Sequence, residues 1–439
     1  MPSVAKINLW GSTIGAVSLD ETTDVAVFAY DPAFAESGIK IAPLMMPLST
    51  RTYSFPGLSR ETYHGLPGLL SDSLPDKFGN VLIDSWLATQ GRESGSFNAI
   101  ERLCYTGARG MGALEFEPAT GPRDGKSTRL EVDELVRLAS LVLTHRHNLK
   151  ASLSGQESEH ALKAILRVGT SAGGARAKAV IAWNPSTHEV RSGQVPANEG
   201  FEHWLLKFDG VKGNKDKEIG EPQGYGVIEY AYSRMAADAG IKMSECRLLE
   251  ENGRRHFMTR RFDRLSGHEK LHMQSLCALA HYDFNMAGAY SYEQALMVIR
   301  QLDLPMSAVE QQFRRMAFNI IARNQDDHVK NVAFLMDKTG HWSLAPAFDL
   351  TYSYDPANIW MASHQMSMNG KRDGFTRADF KACAKAALMK RGRAETIIHE
   401  VIEVVSRWRD YADTAGVAAT SRDKIQKALR IPCRPASLK

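Results

Sequence analysis

Asn324-Gln325-Asp326-Asp327-His328-Val329-Lys330-Asn331, followed by Leu344-Ala345-Pro346-Ala347-Phe348-Asp349, carries the side chains best suited to chemistry. An Asp, an Asn five residues later and a second Asp across a predicted short hairpin form a minimal set for moving phosphate from a metal-bound nucleotide. Asp326 can orient an attacking hydroxyl and accept its proton. The Asn331 carbonyl and the Asp349 carboxylate can hold Mg²⁺ against phosphates, where transition-state charge must be neutralised. The Asp–Asn spacing is that of a protein-kinase catalytic loop. His328 and Lys330 are expected to shape the loop and balance phosphate charge, and Asp327 to point elsewhere and cap the turn. A polar turn between helix and strand would explain the Asp–Asn pair alone, but not the pair together with Asp349 and the upstream motifs. Zinc is disfavoured, since His328 has no His or Cys partner at ligand spacing.

Upstream, Gly169-Thr170-Ser171-Ala172-Gly173-Gly174-Ala175-Arg176-Ala177-Lys178 is rich in small residues. Such a run lets several backbone N–H groups converge on one phosphate. It is not a Walker-type loop, and alone it reads as a flexible connector. Lys207, within the apolar run Trp204-Leu205-Leu206-Lys207-Phe208, is placed to clamp α/β-phosphates, or else to snorkel from a sheet edge. Lys178 could reach phosphate or simply begin a strand. Glu229, on the next predicted helix, is a weaker candidate to pair with Lys207. Arg260-Arg261-Phe262-Asp263-Arg264 ends a strand where a kinase chain would cross between lobes.

The elements that must hold these residues follow from patterning. Ile7–Trp10, Thr13–Leu19 and Val25–Tyr30 alternate apolar and polar residues, as in a small antiparallel sheet. Helices are expected near 81–90, 98–104 and 132–144. Strands are expected at 179–183 and 204–208, with a helix at 227–239. Asn252-Gly253 signals a hairpin between 247–250 and 256–262. Beyond Arg264 the chain reads as helical at 273–281, 292–302, 306–322, 377–391 and 393–409. Residues 422–439, with six Lys/Arg against one Asp, read as a solvated tail. The division this suggests is 1–115, a β-rich docking subdomain; 116–262, a small lobe with the glycine-rich loop; and 263–439, a helical large lobe with the catalytic loop.

Bulk properties agree. At 439 residues, 44% hydrophobic and 24% charged, the chain reads as an ordinary soluble protein of two or three packed units. The apolar runs are too short for a membrane span, and the amino terminus does not read as a signal peptide. Five scattered cysteines without Cys-x-x-Cys spacing suit reduced thiols and a cytoplasmic location. A net charge of +4 does not argue for direct nucleic-acid binding.

The catalytic block resembles that of the HipA family of bacterial serine/threonine kinases, the toxin halves of toxin–antitoxin pairs. Four further stretches match in order: Gly65-Leu66-Pro67-Gly68-Leu69-Leu70-Ser71-Asp72-Ser73-Leu74-Pro75-Asp76, then 169–178, 203–208 and 260–264. The resemblance implies an α+β, bilobal protein-kinase-like fold with a small antiparallel β amino-terminal subdomain and a mainly helical carboxy-terminal lobe. It implies ATP and Mg²⁺ as cofactors. Asp326, Asn331 and Asp349 would then be catalytic, the latter two holding the metal. Nucleotide would contact Ser171, Ala172, Gly173, Gly174, Ala175, Lys178, Lys207, His328, Lys330 and the backbone of Arg260 and Phe262. Ser171 would be the autophosphorylated residue whose modification ejects the loop, with Thr170 its neighbour. Implied partners are a protein substrate, an aminoacyl-tRNA synthetase among the family's targets, and a small helix-turn-helix antitoxin that alone would touch DNA. Relatives often show Gln-Glu-Asp where this chain has His272-Met273-Gln274-Ser275-Leu276, which marks a divergent subgroup and opens the question of substrate. A small-molecule kinase and a catalytically weak corepressor partner of a DNA-binding antitoxin are the competing readings.

Overall fold

A computed structural model describes residues 3–20, 22–93, 95–121, 129–144, 165–166, 168–169, 176–194, 199–211, 224–265 and 269–431. The chain forms two compact units: Met1–Asp216 with Arg247–Gln274 and Leu335–His341, and Lys217–Cys246 with Ser275–Phe334 and Trp342–Lys439.

The first unit holds two antiparallel sheets. β1 (Val4–Leu9), β2 (Ser12–Leu19), β3 (Ala26–Tyr30) and β4 (Leu114–Glu117) are ordered β3-β2-β1-β4. Alternation buries Ala26, Phe28 and Tyr30 along β3, and Val17 of β2 stands opposite Phe28 on the same face. The second sheet is ordered β6-β5-β7-β9-β8. Its strands are β5 (Lys178–Trp183), β6 (Val190–Ser192), β7 (Glu202–Lys207), β8 (Cys246–Glu251) and β9 (Arg254–Arg260). Asn252 and Gly253 both take positive φ, 43° and 74°, as a two-residue primed hairpin turn demands. Helices α1 (Lys77–Thr89), α2 (Ala99–Thr106) and α3 (Val132–Thr144) accompany the sheets. Phe78, Leu82, Leu135, Ala139, Ile181 and Trp204 share one apolar core.

Polar groups also cross this unit. Asp263 is fully buried and accepts from Arg261 Nη2 (2.7 Å), Arg264 Nη1 (2.7 Å) and the Gly112 N–H (2.7 Å). Both guanidinium groups also donate to Gly110 O, at 3.2 and 3.0 Å. Burial pushes the Asp263 carboxyl up, but the two arginines and the Gly112 N–H outweigh it and hold the group far below the usual range. Within the 260–264 stretch Phe262 is half-buried, while Arg261 and Asp263 are inside.

The second unit is mainly helical: α4 (Tyr225–Asp238), α5 (Tyr292–Gln301), α6 (Met306–Ile321), α7 (Arg377–Ala386), α8 (Arg393–Val405), α9 (Trp408–Ala415) and α10 (Ala419–Ala428). α4 packs on α9 through Tyr232 and Trp408, whose rings lie 5.2 Å apart. Four expectations are corrected. The helix predicted over 273–281 is a strand, His272–Ser275, then a short helix, Leu276–Ala280. Ser275 caps that helix through the Ala278 N–H, and Leu276 N–H donates to Val332 O at 2.7 Å. The helix predicted over 377–391 stops at Ala386, with Leu388 at φ 56°, and 393–409 is split into α8 and the start of α9. Residues 422–431 are no loose tail: Trp408 Nε1 donates to Arg422 O at 3.0 Å, and Arg323 Nε to Ala428 O at 2.8 Å.

Three buried or half-buried histidines make stability fall in acid. Burial drives His203 and His281 down to about 4 and His272 to about 3, from 6.5, with Arg261 and Arg264 adding to the effect at His203. Each folded value lies below the unfolded one, so between about 6.5 and 4 the unfolded chain binds more protons. Their contribution is complete above about 6.5 and is lost as pH falls toward the folded values. Unfolding free energies from urea denaturation should drop steadily from pH 7 to pH 4.5, by on the order of several kcal/mol in total. A flat profile over that range would contradict the assignment.

Candidate active site

The catalytic block starts where α6 ends. Asn324 closes the helix, its N–H donating to Asn319 O (2.9 Å) and its Nδ2 to Asn319 Oδ1 (3.0 Å). Ser353 then braces the chain from the side, its N–H donating to Arg323 O (3.0 Å) and its carbonyl accepting from Gln325 N–H (3.3 Å). A 3₁₀ turn, Val329–Asn331, follows and is closed by the Asn331 N–H on His328 O at 2.9 Å. Within this brace the two adjacent acids part. The Asp326 side chain is 57% exposed, with His328 Nε2 3.8 Å from its Oδ1. Asp327 is buried, so it faces away as the sequence suggested, but as an interior anchor rather than a turn cap. Lys330 Nζ lies 5.1 Å from the Phe284 ring centroid.

Asn331 Nδ2 donates to the Asp326 carbonyl at 2.9 Å. That bond engages the Nδ2 end of the amide, so Oδ1 is the end a cation would meet. Asp349 sits at φ 56°, a left-handed conformation that Asp enters at lower cost than most residues. Its segment is held by Ala345 N–H on Ala333 O (3.0 Å) and Ala347 N–H on Lys242 O (2.8 Å). Asn331, Phe348 and Leu350 line one cavity of about 20 Å³, so the Asn and Asp segments adjoin. An amide oxygen beside a carboxylate is a hard donor set. It suits Mg²⁺, which is commonly held by one or two carboxylates with substrate phosphates completing the shell. Among the described residues no group of three or more His, Cys, Asp or Glu could hold a metal.

In the first unit, Lys178 and Lys207 stand directly opposite each other on β5 and β7, and both are buried. Two ammonium groups so placed repel and demand anionic company. Asp76 supplies one carboxylate, its Oδ2 3.7 Å from Lys178 Nζ, while its Oδ1 caps α1 through the Gly79 N–H. Asp76 closes the motif at 65–76, and nothing in the local sequence links it to Lys178. Gly169 packs against α1, where a Cβ would come within 2.9 Å of Leu82 Cδ1 and 3.2 Å of Phe78 Cε1. Thr170, Ser171, Ala172, Gly173, Gly174 and Ala175 lie outside the described residues. The chain on either side is fixed by Val180 N–H on Val168 O (2.6 Å) and Phe208 N–H on Ala177 O (3.1 Å). Arg260 is exposed, its guanidinium 3.4 Å from Glu202, which leaves any binding role to its backbone.

The profile of the HipA-like C-terminal domain matches residues 170–408, and that of the HipA N-terminal domain matches residues 5–117. The chain belongs to the HipA family. Among solved structures, HipA of Shewanella oneidensis MR-1, from a toxin–antitoxin complex with HipB and operator DNA, superposes with a TM-score of 0.67. The two are 16% identical, and the match covers 96% of each chain. That likeness establishes the fold, the α+β bilobal kinase-like one expected from sequence. The Helicobacter pylori proinflammatory kinase CtkA matches at 14% identity over 59% of this chain and 90% of its own, with a TM-score of 0.36, too low to carry weight. No curated protein matches in sequence. HipA membership thus rests on both family profiles, and among the described residues no helix is long and apolar enough to cross a membrane.

Proposed function

We propose that this HipA-family chain is an ATP- and Mg²⁺-dependent serine/threonine protein kinase acting as the toxin of a toxin–antitoxin pair. The observation that carries this reading is the division of the catalytic loop. It presents the Asp326 carboxylate to solvent and ties Asn331 to the loop through its Nδ2, beside the segment bearing Asp349. Asp326 orients a substrate hydroxyl and takes its proton as the oxygen attacks the γ-phosphorus. Asn331 and Asp349 would hold Mg²⁺, which neutralises charge on the phosphate oxygens. Lys330 adds positive charge beside the loop, His328 shapes it, and the buried Lys178–Lys207 pair is suited to α/β-phosphates. The backbone of Arg260 and Phe262 is the proposed contact for adenine. A DNA-binding antitoxin is supported by the S. oneidensis HipA complex, in which HipA is seen with HipB and operator DNA. An intact catalytic triad argues against a catalytically weak corepressor.

The decisive experiment is incubation with labelled ATP and Mg²⁺, followed by phosphosite mapping. We expect label on Ser171 in protein accumulated without a partner, at a rate per molecule that rises with protein concentration. A phosphate there adds about −1.5 to −2 charge to the loop that must hold ATP phosphates, so ATP affinity should fall. Ser171→Ala should abolish the modification and retain binding. Active enzyme with no modification anywhere in 169–178 would remove self-inactivation, and no transfer to any acceptor would remove the kinase reading.

A further inference from the structure

Asp327 lies in sequence between the general-base candidate and the rest of the loop, yet it is fully buried and does no surface chemistry. Its carboxylate accepts three hydrogen bonds. They come from the Tyr292 hydroxyl of α5, from His364 Nδ1 at 2.7 Å and from the Gln365 N–H at 2.7 Å. Tyr292 in turn accepts from Asn319 Nδ2 at 3.1 Å, and Asn319 is the residue that closes α6 onto Asn324. Burial opposes the charge on Asp327, but these donors outweigh it and keep the carboxyl below its usual range.

The chain of contacts continues outward. His364 Nε2 faces Arg430 Nη1 at 3.0 Å. A guanidinium can only donate, so Nε2 accepts and the ring's proton sits on Nδ1, where Asp327 needs it. Arg430 is fixed three times more, by Asp373 through Nη2, by Nη1 on Ile320 O at 3.2 Å and by its own N–H on Ile321 O at 2.9 Å. Its side chain is 18% exposed, the outermost member of the series.

We propose that Asp327, His364 and Arg430 form a positioning relay that sets the catalytic loop from the carboxy-terminal segment after α10. The bonds converge on the residue next to Asp326, so a loosened relay displaces Asp326 and Asn331 while leaving the other unit's lysines untouched. The segment after α10 is thereby a control point for turnover. The inference rests on the kinase reading for its kinetic arm only.

The test uses the full chain with His364→Asn, His364→Gln, Arg430→Ala and the double variant His364→Asn/Arg430→Ala. An Asn amide can mimic Nδ1 and keep the bond to Asp327 while losing Arg430; a Gln amide reaches as far as Nε2 and does the converse. We expect kcat to fall ~10-fold in Arg430→Ala and in His364→Asn, with no further fall in the double variant, and ~10²-fold in His364→Gln, since small displacements at the reacting centre have effects of that size. The Kd for ATP measured without Mg²⁺ should stay within about twofold of the parent's, because the lysines assigned to its phosphates lie outside the relay and Asn331 acts only through the metal. Amide hydrogen exchange over 325–331 should quicken in every variant, and this arm needs no activity. Unchanged kcat in an active parent, kcat and ATP affinity falling together, additive effects in the double variant, or unchanged exchange would each overturn the relay. A parent that transfers no phosphate would sink the kinase reading instead, and the exchange data would still decide the anchoring.

Discussion

Asp326→Ala should lower phosphoryl transfer by ~10²-fold or more, the scale of a positioned general base, while ATP binding stays close to the parent's. Asp349→Ala should instead abolish both transfer and tight Mg²⁺–nucleotide binding. The difference follows from placement. Asp326 is an exposed side chain on a loop whose shape depends on backbone bonds and on Asp327, so truncating it removes a proton acceptor and little else. Asp349 is the only carboxylate proposed for the metal, beside an amide that cannot replace its charge. Calorimetry with ATP and Mg²⁺, alongside a transfer assay, separates the two. Should the Asp326 variant lose nucleotide as fully as the Asp349 variant, the assigned roles would have to be exchanged or merged.

The second large effect concerns stability. Asp263→Ala should destabilise the first unit by about 3–5 kcal/mol, the usual penalty for removing one partner from a buried ion cluster. Arg261 and Arg264 would be left facing each other, both largely buried, with only Gly110 O and other carbonyls to receive their protons. The Gly112 N–H would lose its acceptor as well. Because the folded carboxyl is held far below the unfolded value, its contribution is present at every pH above the ordinary carboxylate range and is lost only in strong acid. The deficit of Asp263→Ala should therefore be constant between pH 5 and pH 8, unlike the histidine effect, which grows as pH drops from about 6.5. A loss under about 1 kcal/mol by urea denaturation would show that the cluster contributes little.

Much of the molecule was legible from sequence because it is written in local periodicity. The alternation of residues 7–30 gave the first sheet, the apolar stripe of 132–144 gave α3 to the residue, and Asn252-Gly253 gave a hairpin whose two positive φ angles those residues tolerate. The family was legible too, since its motifs are short, ordered strings of residue types. Other assignments depended on distant partners. Sequence presents Asp326 and Asp327 as neighbouring acids; burial against Tyr292, His364 and Gln365 makes one an anchor and leaves the other to solvent. The strand at 272–275 has a helical pattern, and a backbone bond to Val332 helps end it in favour of a short capped helix. Lys178 and Lys207 lie far apart in the chain and become a buried pair only through the register of β5 on β7. Arg430, in a basic stretch that reads as solvated, is held by Ile321, His364 and Asp373. Local pattern records which face of an element is apolar; which charge meets which is decided by where the chain returns, and only the folded structure brings those partners together.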